Sequence, residues 1–112
     1  MRLPAAERAI VDPDKVQNYL LSRSHAVGVE KARVFESLGY RRPHWRRLQY
    51  DLFMCAQQDN AEEADATSYG QKYRIRAILR GPHWRSMAFT TIWIVLSDEG
   101  FPRFVTAYPD LP

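Results

Sequence analysis

The chain has 112 residues, 46% hydrophobic and 12% aromatic, which is enough for one ordinary core and too few for two independent domains. With three Trp, five Phe and 26% charged residues it is excluded from intrinsic disorder, and its formal charge of only +3 makes local charge more informative than global charge. Its single cysteine, Cys55, excludes an internal disulfide, and the longest apolar-rich run, Met87 to Leu96, is too short to cross a bilayer as a helix. A cytoplasmic setting without membrane contact is the expectation. Export by a signal-independent route, or as part of a larger polypeptide, stays open.

Taken in chain order, Ala9-Ile10-Val11 suggests a short edge strand. Asp12-Pro13 then puts a capping residue before a proline at the first helical position, predicting a helix over Pro13 to Leu21 with Val16, Tyr19 and Leu20 on one face. Lys31 to Leu38 predicts a second helix, ended by Gly39 in a left-handed conformation. Pro43 opens a third, whose Trp45, Leu48, Leu52 and Cys55 fall at the spacing of an amphipathic stripe. Gln58 to Ser68 is acidic and small, and reads as a mobile loop or a frayed helix end.

From Lys72 the period changes to two. Tyr73, Ile75, Ala77 and Leu79 alternate with Lys72, Arg74, Arg76 and Arg80, and only Ile78 interrupts the pattern. Gly81-Pro82-His83-Trp84 supplies a turn, Met87 to Leu96 a central strand apolar on both faces, Ser97 to Gly100 a second turn, and Arg103 to Tyr108 a third strand. Strands joined by short turns pair as an antiparallel meander. The expected fold is therefore α+β: one domain of three N-terminal helices packed on one face of a three-stranded sheet, with a short extra N-terminal edge strand as an option.

Charge points to a surface. Gln71 to Thr91 carries five basic residues and no acid, so Lys72, Arg74, Arg76 and Arg80 form one basic stripe on the face away from the helices. A solvated strand face and a polyanion-binding surface both fit that pattern. Arg41, Arg42, Arg46 and Arg47 bracket Pro43 without an acid among them, where their charge opposes the positive end of the helix dipole. Phosphate would relieve that opposition, and pairing with Glu36, Asp51 or the acidic segment is the alternative. With Tyr40, Trp45, Tyr69 and Trp84 nearby in the chain, these eight cations offer the mixture of charge and aromatic planes that single-stranded RNA binding requires.

His25, His44 and His83 lack metal-ligand spacing, and no glycine loop for a nucleotide is present, so neither metal nor cofactor is expected. The chemistry left open is metal-free phosphodiester cleavage: a base activates the ribose 2′-hydroxyl, a cation stabilises the phosphorane, and an acid protonates the leaving oxygen. Candidates are His25 as base or acid, Lys31 or Arg103 as the cation, and Thr106 or Tyr108 as a hydroxyl donor. A loop hydrogen-bonder, a solvated helix residue and a strand former are the ordinary readings of His25, Lys31 and Thr106.

The blocks His25-Ala26-Val27-Gly28, Lys31 to Tyr40, Tyr69-Gly70-Gln71-Lys72-Tyr73, Thr91-Ile92-Trp93-Ile94 and Arg103 to Pro109 resemble a family of uncharacterised bacterial domains of about this length. The resemblance runs from Leu3 to Pro109, and such domains occur alone or at the C-terminus of toxin-like polypeptides. It implies that His25, Lys31, Lys72, Arg103, Thr106 and Tyr108 match family motifs, while Gly81-Pro82-His83-Trp84 departs from the more polar turn expected there. By fold plan and charge the chain is also similar to metal-free RNase toxins. Two readings follow: an RNA-directed, toxin-type ribonuclease, or a non-catalytic interaction or immunity-type module. RNA, an immunity or antitoxin protein, and a second copy of the chain are the partners these readings imply.

Overall fold

The computed structural model describes residues 1–24 and 28–110. Asp12 caps the first helix by accepting a 2.8 Å hydrogen bond from the Asp14 N–H, and α1 (Pro13–Lys15) passes directly into a π-helical turn, Val16–Leu20, closed by Leu21 N–H on the Val16 carbonyl. Such π turns are rare and concentrate at functional sites. Helix α2 (Gly28–Ser37) ends where Gly39 takes φ +100°, and a 3-10 turn at Arg42–His44 leads into α3 (Trp45–Cys55).

The sheet has four strands, not the three expected: β1 (Glu62–Ala66), β2 (Gly70–Arg80), β3 (Ser86–Leu96) and β4 (Pro102–Pro109), antiparallel and in that order. The added strand is the acidic segment expected to be a loop. It pairs Glu62 with Arg74 and Glu63 with Tyr73, and nearly all of it is exposed, so no alternation of apolar residues announces it. Acidic side chains on an edge strand also discourage pairing with other chains. The expected N-terminal edge strand shrinks to one parallel bridge from Ile10 to Arg103, flanked by Ile10 N–H on the Pro102 carbonyl and Phe104 N–H on the Ile10 carbonyl.

One face of the sheet carries the core. Tyr73, Ile75, Leu79, Phe89, Trp93 and Phe104 are buried there against Val16, Leu20, Phe35, Leu38, Leu48 and Leu52 of the helical layer, with Phe35 stacked on Phe89 at 5.0 Å between ring centroids. Its buried polar groups are satisfied in series: the Trp93 indole N–H donates to Thr91 Oγ1, and the Thr91 hydroxyl donates to the Ile75 carbonyl, each at 2.9 Å. The β2–β3 turn presses so close to the end of α2 that a Cβ on Gly81 would sit 1.9 Å from the Leu38 carbonyl oxygen. Only glycine fits there. The strand expected to be covered on both sides, β3, is fully covered on one; on its other face Thr90 is buried while Ile92 and Ile94 are partly exposed.

Candidate functional site on the open sheet face

Because directly paired residues share a face, the register of the sheet decides which side chains meet. Lys72 lies in one row with Ile94 and Arg103, Arg74 with Ile92 and Thr106, and Arg76 with Thr90 and Tyr108. The basic residues picked from β2 and the three picked from β4 therefore occupy one face, on either side of β3. In β4 Val105 is an extra residue opposite the Ile92–Trp93 step, a bulge that returns Thr106 and Tyr108 to this face while Phe104 and Ala107 stay buried.

The outer edge of β4 is capped by lysines. Lys15 Nζ donates to the Val105 carbonyl at 3.1 Å and Lys31 Nζ to the Ala107 carbonyl at 2.8 Å, so the edge acceptors left by the short Ile10 bridge are paired with ammonium groups. Between the two lysines stands Tyr19, from the π turn. Both ammonium groups lie within 6 Å of its ring centroid, and its hydroxyl is 3.3 Å from Thr106 Oγ1. Lys31 is also 5.8 Å from the Tyr108 ring. An ammonium has three donors, so Lys31 keeps two beyond the carbonyl it caps. No carboxylate pairs with Lys15 or Lys31 among the described residues.

A family of domains of unknown function, DUF6883, matches residues 2–111. The chain belongs to that family. No curated protein matches it. In fold it is similar to a chain of a contact-dependent growth inhibition toxin–immunity protein complex from Klebsiella pneumoniae 342, with a TM-score of 0.74 at 19% identity over 96% of this chain and 97% of that one. At that identity the likeness concerns the fold.

The other picked residues of this DUF6883 chain separate into paired and unpaired groups. Arg103 is held in a two-pronged ion pair by Glu99, at 2.7 and 2.8 Å, which keeps the Glu99 carboxyl below its ordinary range. Arg76 is held by Asp110 at 2.8 Å, and Arg74 lies 3.7 Å from Glu62. Lys72 and Arg80 have no ion pair among the described residues; Arg80 lies 5.4 Å from the ring of Trp84, which is 78% exposed at a φ of +63°. The arginines around Pro43 disperse. Arg47 pairs with Asp51 and reaches the Arg80 carbonyl, Arg46 stacks on Trp45, and Arg42 donates to the Gln17 carbonyl and Asn18, while Arg41 has no ion pair. His25 lies outside the described residues.

Reading the sequence missed Lys15 and Tyr19. Their signal was weak: Tyr19 fits the apolar face of a regular helix, and only the π turn and the β4 edge reveal what its hydroxyl touches. Among the described residues no three His, Cys, Asp or Glu gather as metal ligands, and no helix is long and apolar enough to cross a membrane. Cys55 is buried, and loss of hydration, with the Asp51 charge second, pushes its thiol up to about 12. A thiol so protonated is no nucleophile at neutral pH.

Proposed function

We propose that this chain is an RNA-directed domain, a metal-independent ribonuclease of the toxin type, acting on the open face of the sheet. The observation that carries this reading is the convergence of Lys31, Tyr19, Thr106 and Tyr108 at the β4 rim with the cations of β2 across β3. A phosphodiester lying over β3 would meet Arg74 and Arg76 on one side and hydroxyls and an ammonium on the other. The fold likeness to a chain from a toxin–immunity complex supports a toxin-related or immunity module, and so fits this reading and the second one below equally.

In this reading a base removes the proton of the ribose 2′-hydroxyl, whose oxygen attacks phosphorus. The bond to the 5′-oxygen breaks as that oxygen takes a proton, leaving a 2′,3′-cyclic phosphate and a free 5′-hydroxyl. Lys31, with two spare donors, stabilises the charge on the phosphorane; Thr106, held by Tyr19, donates to a non-bridging oxygen. His25 is assigned the base or acid role. Arg103, occupied by Glu99, is assigned to phosphate binding rather than to the phosphorane.

The test is incubation of the purified protein with total RNA in the presence of a chelator, with end analysis for cyclic phosphate, and growth of cells expressing the protein. Wild type cuts RNA and arrests growth, whereas Lys31→Ala and Thr106→Val leave RNA intact and remain folded. Uncut RNA with the wild type discards the enzyme.

A second reading, a protein-interaction or immunity-type module, draws on Ile78, 71% exposed, and the partly exposed Ile92 and Ile94 on this same face, an aliphatic surface that cannot stack bases. A homodimer through this face is the other form this reading takes. Salt separates the readings. Phosphate binding weakens steeply as salt rises, and an aliphatic protein interface does not.

A further inference from the structure

Away from the sheet face, a cleft of about 540 Å³ opens between the segment after the π turn and the segment joining α2 to α3. Its walls include Ser22, Arg23, Ser24, Glu36, Arg41 and Arg42. Three arginines thus contribute to the wall of one concavity beside the Glu36 carboxylate, with the Arg42 guanidinium resting on Gln17 and Asn18 at its border. Arg23 is bound to that carboxylate through two nitrogens, Arg42 donates only to neutral oxygens, and Arg41 has no ion pair among the described residues. The Arg41 charge reaches Glu36 all the same, helping Arg23 to hold its carboxyl below the ordinary range. One acid therefore serves two arginines, and the cleft keeps a positive excess.

We propose that this cleft is a phosphate-binding site, distinct from the sheet face, in which a phosphate group takes Arg41 and Arg42 and competes with Glu36 for Arg23. A concave wall with an excess of one sign concentrates counter-ions, and planar guanidinium forks match the oxygens of phosphate. The hydroxyls of Ser22 and Ser24, hydrogen-bonded to each other at 3.1 Å, leave one further donor on the wall. A carboxylate offers two acceptor oxygens to this set of forks and hydroxyls; a phosphate monoester offers three. The phosphate belongs either to an RNA strand or to a free nucleotide.

Because Glu36 is a competitor in this scheme and Arg41 a ligand, their removal acts in opposite directions, which no general loosening of the fold would do. Phosphate and AMP are titrated into the full chain by calorimetry and phosphorus NMR, with melting curves as the fold control. Arg41→Gln weakens both ligands by about tenfold or more, and Glu36→Gln tightens both severalfold. A short RNA oligomer that displaces AMP, and is itself weakened by Arg41→Gln, identifies the strand as the source; AMP binding that RNA leaves untouched identifies a free nucleotide. Absence of saturable binding into the millimolar range, equal affinity in Arg41→Gln, or no tightening in Glu36→Gln overturns the site. None of these readouts involves breaking an RNA bond, so the cleavage proposal and this one fail separately.

Discussion

The two faces of one sheet put threonine to opposite uses. On the covered face Thr91 is fully buried, accepts from the Trp93 indole and donates to the Ile75 carbonyl, so its hydroxyl completes a core. On the open face Thr106 stands at the β4 edge beside Tyr19 and two lysines, with its hydroxyl 3.3 Å from that of Tyr19, and under the proposed function it is this hydroxyl that meets the phosphate. Residue type does not separate the two cases. Register does, because a one-residue step along a strand exchanges core for surface.

The contrast is sharpest where each face holds its most committed residue. Trp93→Ala opens a cavity among Phe104, Thr91 and the helical layer, and about 3–5 kcal/mol of stability is expected to go with it, read as a fall in the denaturation midpoint. Lys31→Ala is expected to lower RNA cleavage by about 10²–10³-fold while shifting stability by only about 1 kcal/mol, the worth of one hydrogen bond to the Ala107 carbonyl. If Lys31→Ala instead unfolds the chain, edge capping is its whole role and the division between the faces collapses.

Next in size come the threonines themselves. Thr91→Val strands the buried Trp93 N–H, and about 1–3 kcal/mol is lost without any change in RNA binding. Thr106→Val is expected to do the converse, reducing cleavage with a melting temperature close to that of the wild type. Exchanging these two outcomes would mean that the register places the wrong hydroxyl on the open face.

How much of this was legible in the chain depends on burial. The alternation of Tyr73, Ile75, Ala77 and Leu79 with basic residues gave β2 correctly, because one wet and one dry face write themselves into sequence at period two. Glu62 to Ala66 has no dry face; its pairing depends on β2 and a cross-strand contact of Glu62 with Arg74, so it read as a loop. The π turn was equally invisible, since one extra residue in a helical turn shifts phase without altering composition. Basic residues could be counted, but not their partners: that Asp110 takes Arg76 and Glu99 takes Arg103, while Lys31 meets a carbonyl, is decided by tertiary contacts.

Those partners supply a smaller test. Asp110→Asn releases Arg76 on the open face, and RNA affinity is expected to rise a few-fold with a steeper dependence on salt; Arg76→Gln lowers affinity and reduces the slope by about one contact. Neither change moves stability beyond about 0.5 kcal/mol, because the pair is at the surface.

The least effect is expected from Glu99. The Arg103 guanidinium holds its carboxyl below the ordinary value of 4.5, so this pair stabilises the fold above that pH and ceases to do so as pH falls through the lowered value, where Glu99 takes up a proton in the folded state too. A small melting-temperature difference between wild type and Glu99→Gln should therefore be present at neutral pH and vanish in acid. The same substitution frees Arg103 beside Lys72 and Ile94, so at neutral pH it should tighten RNA binding as it slightly weakens the fold. That opposition is what distinguishes a cation held in reserve on the open face from one that only braces the turn before β4.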